Sequence, residues 1–219
     1  KAALIAYNSE QDFRRAYNHY AKLEAVANNP QVRLVAQLGA LRSAYRANLA
    51  DEILKIADKV ANNSVANQEE KAQANFYLGK VAYDKKDYTR ALSAFNKVVA
   101  NSDNEQTAEA RYLIAYIYYL QRDLNTAQEI TISSNRESSS YPFWVAKSVI
   151  LLADILTEKG DLFNAQATLE ALIDNYDGDA NLVASAEEKL RILNKRIEGN
   201  SRIDNYDSSD EIIFDENGN

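Results

Sequence analysis

One imidazole, His19, is the first group in this chain that could do acid–base or metal chemistry. Either role needs partners, and no second histidine exists to complete an HxxH or HExxH pattern. His19 stands between Tyr17 and Tyr20 and reads as a packed or surface residue. Neighbouring carboxylates at Glu69-Glu70 and Glu187-Glu188 could share acid–base work. A solvated helix face supplies such neighbours by default. Asp177-Gly178-Asp179-Ala180-Asn181 opens like a D-x-D-x-N calcium loop. The sixth position should be glycine for the sharp turn and is Leu182, and Glu188 falls twelfth only if the segment stays open. Residues 182–197 carry a helical pattern, so the stretch reads as a turn with an acidic helix start. Asn62-Asn63-Ser64 fits the glycosylation pattern, as one match in an Asn-rich chain does by chance. The absence of Cys removes disulfides, thiolate catalysis and Cys-based zinc sites. No glycine-rich loop follows a strand, so phosphate cradles are not expected. These residues predict no catalytic group, no metal ligand and no cofactor, and the chain is not expected to be an enzyme.

What must position the side chains is helix. Six Gly and two Pro in 219 residues are too few turn formers for a β-rich protein. No apolar run reaches the ~18 residues a membrane span needs, so no direct membrane insertion is expected. The net charge is −7, and residues 199–219 carry −5 of it, with six acids against Arg202 alone. The nearly neutral body has no basic footprint for nucleic acid. The chain starts at Lys1 in helix-like sequence and contains no Met, so it is expected to be part of a longer protein. Lack of Cys fits a periplasm or cell exterior.

Periodicity organises the helices. Asp12-Phe13-x-x-Ala16-x-x-x-Tyr20 recurs as Asp87-Tyr88-x-x-Ala91-x-x-x-Phe95, Asp123-Leu124-x-x-Ala127-x-x-x-Thr131 and Asp161-Leu162-x-x-Ala165-x-x-x-Leu169. A weaker copy is Asn48-Leu49-x-x-Glu52-x-x-x-Ile56, and the first positions step by 36, 39, 36 and 38 residues. Asp or Asn is a good N-cap because its side chain accepts an orphan backbone N–H. Ala four residues on allows close approach, and the large residue four further on shares its face. An amphipathic segment precedes each copy, clearest as Phe76-Tyr77-Leu78-Gly79-x-x-Ala82-Tyr83, with small residues at Ala40, Gly79, Ala115 and Ala153. Each unit therefore reads as helix A, a tight turn and helix B.

This pattern resembles the tetratricopeptide repeat, with Leu78, Gly79, Ala91 and Phe95 at that family's Leu, Gly, Ala and large-residue positions. The resemblance implies an all-α, right-handed α-solenoid of about five helix pairs plus a C-terminal capping helix. The pairs fall at 1–29, 30–64, 65–103, 104–140 and 141–178, the cap at 180–198 and an acidic tail at 199–219. The long period and the ending Leu172-Ile173-Asp174-Asn175-Tyr176 resemble repeat proteins of the Gram-negative bacterial cell envelope.

The resemblance also implies a function: a protein-binding scaffold whose A helices line a concave groove for a partner segment. Lys and Asn at the family's carboxylate-clamp positions are missing, which disfavours C-terminal tails as ligands. Phe76, Tyr83, Tyr112, Tyr116 and Tyr119 are the candidate partner-binding residues. Fourteen Tyr against six Phe suit a contact surface, because a phenol is apolar with a hydrogen-bonding tip. The same rings could instead pack between helices. In a second reading the chain is a structural module whose interfaces are mainly intramolecular or self-associating. There the tail docks through Ile212, Ile213 and Phe214, three apolar residues set in acid. Partners are thus expected to be protein or peptide, with self-association through the tail as the alternative.

Overall fold

A computed structural model describes residues 1–207, with side chains through Gly199; Ile212, Ile213 and Phe214 lie outside the described residues. Eleven α-helices and no strand are found among the described residues. The chain forms two compact units divided after Gln121. The first holds α1 (Ala2–Asn8), α2 (Phe13–Val26), α3 (Pro30–Arg46), α4 (Ala50–Ala61), α5 (Gln68–Asp84), α6 (Tyr88–Asn101) and α7 (Glu105–Leu120). The second holds α8 (Leu124–Glu137), α9 (Pro142–Glu158), α10 (Leu162–Asn175) and α11 (Ala180–Asp207). Consecutive helices pack on one another within each unit, and α3, α5 and α7 also touch side by side. This is a helical repeat fold: helices α3, α5 and α7 form one layer, with α2, α4 and α6 behind them.

The capping expectation holds at four positions. Asp12, Asp87, Asp123 and Asp161 accept the backbone N–H groups of Arg15, Arg90, Thr126 and Asn164 at 2.9, 3.1, 3.2 and 3.3 Å. At the weak copy the register is corrected by one residue. Asn48 is not a cap; its φ is +55°, and Leu49 stands at the N-cap with no side-chain bond. The reason is the turn. Gln11, Lys86, Arg122 and Gly160, each one residue before an Asp cap, also have positive φ, so Asn48 occupies the left-handed step of the same turn. Counted from Leu49, the fourth residue is Ile53 and the eighth is Ala57, both buried, at 2% and 0% exposure. The other copies set Ala first and the larger residue second. Helix α4 keeps both sites but exchanges their sizes.

Left-handed backbone strains a residue with a Cβ. Lys86→Gly is therefore expected to be neutral or to stabilise by up to about 1 kcal/mol, despite the extra freedom glycine has when unfolded. A urea midpoint lowered by the substitution would show that this turn carries no such strain.

The close approach of the repeat is made by glycine. At Gly79 of α5 an added Cβ would lie 2.5 Å from the Phe95 ring of α6. Gly39, not its neighbour Ala40, plays the same part in α3, where a Cβ would collide with the Tyr20 ring of α2. The two helix pairs with the most extensive contact in the first unit are these two, α2 with α3 and α5 with α6.

In the second unit Ala146, Ile150, Ala153, Leu156, Ala165, Leu169, Leu172, Ala186 and Leu193 form one core. Helix α11 seals it, with Leu182, Leu190 and Ile197 packed against the cluster. Its helical backbone does not stop before the glycine at 199 but continues to Asp207.

Candidate partner-binding face

His19 is half-buried on α2, and no cluster of metal-ligating side chains occurs among the described residues. Glu70 closes a capping box: Asn67 N–H donates to its carboxylate at 2.8 Å, and Asn67 accepts from Glu70 N–H at 2.8 Å. Glu188 accepts from Arg191 at 2.7 and 2.6 Å. Asp179 caps α11, accepting from Asn181 and Leu182 N–H at 2.9 and 3.2 Å, so Asp177–Asn181 is a helix start. No helix of the described residues is long and apolar enough to cross a membrane.

The first unit presents a face built by α3, α5 and α7. Lys80 of α5 reaches Glu109 of α7 at 2.6 Å, linking two helices of the row, and Tyr45 of α3 is near enough to act on its charge. Burial alone would push the Lys80 ammonium down. The hydrogen bond and charge of Glu109 outweigh it, and the group is held above the ordinary lysine value. Beside this row lie the tyrosines of α7. Tyr112 and Tyr116 are stacked at 5.8 Å with planes 11° apart, and Tyr116 stacks on Tyr119 at 5.9 Å. Their spacing of four and three residues sets them on one helix face. Tyr83 of α5 stands 6.2 Å from Tyr88. Burial raises the Tyr83 phenol first, and the nearby Tyr116 phenol adds to it. All four of these tyrosines are half-buried, each with surface left to touch a ligand.

Phe76 is the exception: it belongs to the core, not to the exposed face. It is 4% exposed, with its ring 6.4 Å from Phe95 and 5.5 Å from Tyr77. Its neighbour Phe95 fills the space over Gly79, which draws that stretch of α5 into the core. The structure thus brings Tyr83, Tyr112, Tyr116 and Tyr119 together and leaves Phe76 behind them. Reading by residue type missed a second aromatic site, at the start of α9. There Lys147 Nζ lies 4.9 Å from the Trp144 ring and 5.8 Å from Phe143. The only tryptophan of the chain was the signal that could have found it.

The helix pair around Gly79 carries the likeness to known proteins. Residues 73–104 match the tetratricopeptide repeat. The match spans most of α5 and all of α6, and includes the Gly79–Phe95 contact. The fold is also similar to the crystal structure of a thermophilic tetratricopeptide-repeat protein of Thermus thermophilus. That chain is 16% identical, with 86% of this chain and 95% of that one covered and a TM-score of 0.49. No curated protein matches the chain. Tetratricopeptide repeats generally mediate protein–protein interactions and are typically non-catalytic scaffolds.

Proposed function

We propose that this chain is an interaction scaffold that holds a protein segment on the α3–α5–α7 face of its first unit, over Tyr83, Tyr112, Tyr116 and Tyr119. The stacked, half-buried rings on α7 carry this reading. They are rigid and apolar with hydroxyl tips, the chemistry that dominates protein interfaces at low entropic cost. The Lys80–Glu109 pair beside them links α5 to α7, so that part of the face is formed before a partner arrives.

Tyr112→Ala combined with Tyr116→Ala is expected to weaken capture of the native partner by at least about tenfold while far-UV circular dichroism stays helical. Helicity lost together with capture would assign the rings to the core. Unchanged capture with an intact fold would exclude this face. On the same reading the chain works at a bacterial cell envelope, the setting suggested by its long repeat period and Leu172–Tyr176 ending; fractionation of native cells tests that.

A further inference from the structure

The two units contain the same groove in two chemical versions. In the first unit it runs between α4 and α6 over α5, encloses about 310 Å³, and is lined by Asp58, Asn75, Arg90 and Lys97 among others. In the second it runs between α8 and α10 over α9 and encloses about 510 Å³. The repeat offset from Asp87 to Asp161 places Val149 where Asn75 stood and Ala171 where Lys97 stood. Val145, Ala146 and Leu172 extend the apolar lining. Asn135 lines the same groove, and its Oδ1 is buried with no hydrogen-bond donor. The groove also includes Pro142 at the start of α9, whose first turn holds no acidic residue. Acid on an incoming segment is favoured there by the helix dipole.

A matching segment exists in the chain, Asp210-Glu211-Ile212-Ile213-Phe214-Asp215-Glu216. Its own copy cannot deliver it. Arg196 of α11 donates to the Thr157 carbonyl at 3.5 Å, which sets that level of α11 beside the end of α9. From there α11 continues to Asp207 and carries the backbone about 15 Å further. The groove lies the other way, along α9 toward Ala146, about 15 Å from Thr157. The gap is about 30 Å, and the seven residues from Asp207 to Phe214 span at most about 25 Å.

We infer that the α8–α9–α10 groove binds residues 210–216 of a second copy of this chain. Ile212, Ile213 and Phe214 fill the apolar trough, and the leading acids lie toward the start of α9. The inference is independent of the tyrosine face on the first unit.

The test uses sedimentation of the full chain and two variants. One ends at Asp207. The other is Ala171→Glu, a substitution at an exposed position that places an anion in the groove against the acidic segment. The full chain should self-associate in a concentration-dependent way. Each variant alone should lose at least about tenfold in association, with circular dichroism unchanged. Mixed, the two variants should pair, because one brings the segment and the other the open groove. A full chain that stays monomeric at every concentration overturns the inference. So does association that survives Ala171→Glu, or a mixture that does not pair.

Discussion

Phe95→Ala is expected to cost about 3–5 kcal/mol of stability, the largest effect of any single substitution proposed for this chain. Phe95 has no exposed surface, and its ring fills the space left by the missing side chain of Gly79. Ala82 of α5 and Ala91 of α6 are buried as well, so the closely packed helices have little room to collapse onto the vacancy. The converse substitution, Gly79→Leu, overpacks the same spot and should cost about 1–3 kcal/mol. The two changes are coupled, being in contact. The introduced leucine side chain would occupy part of the space that Phe95 gives up, so the double variant should be more stable than Phe95→Ala alone. Thermal melts of the four proteins measure this. A Phe95→Ala midpoint within experimental error of the wild type, or strict additivity, would rule out the pairing of glycine with ring.

Raising the pH from 10 to 12 should remove about 2 kcal/mol through Tyr77 alone. Burial pushes its phenol up to about 12, against an ordinary value of 10.0; Tyr7 adds to the rise, while Arg42 and the bond from Gln106 oppose it. Across that interval the unfolded chain gives up the phenolic proton and the folded chain keeps it. The contribution is complete below pH 10, falls as the pH climbs, and levels off above 12. Lys80 acts in the same direction, because its value is also raised. Tyr17 is raised to about 12 as well, by burial and then by its bond to Glu52, but it is more exposed and solvent screens it. Tyr77→Phe is the control, since it loses only a 3.5 Å bond from Gln106 at neutral pH. Its urea midpoint should decline less between pH 10 and 12 than that of the parent. Equal slopes would mean that Tyr77 does not keep its proton in the folded state.

Much of this architecture was legible because the repeat writes local physics in single letters. Aspartate before a helix is a cap wherever it appears, and the four Asp caps each accept the backbone N–H the spacing implies. Where the letter was asparagine the reading slipped, because Asn serves both as a cap and as a left-handed turn residue. Only backbone geometry separates the two, and Asn48 is the turn residue. The tyrosine face was partly legible for a similar reason. Spacing of three and four on α7 fixes which rings share a face, since that is a property of one helix. Whether a ring faces out depends on the neighbouring helix, and Phe76 was misplaced because Phe95 sits behind it. The groove over α9 left no motif at all. It arises from substitutions that remove polar groups, such as Val149 and Ala171, and these stand out only beside the equivalent residues of the first unit.

The exchanged sizes of Ile53 and Ala57 bear on how such a gene can change. Repeated coding segments tend to misalign, so that whole units are gained or lost between generations. That is harmless when every unit mates with every other. Here α4 carries bulk where its sister helices carry a methyl group, and a methyl group where they carry bulk. A copy of α4 inserted elsewhere, or a sister helix put in its place, would meet a gap at one layer and a collision at the next. The helix is keyed to its neighbours α3 and α5, and the key holds the order of the units against shuffling.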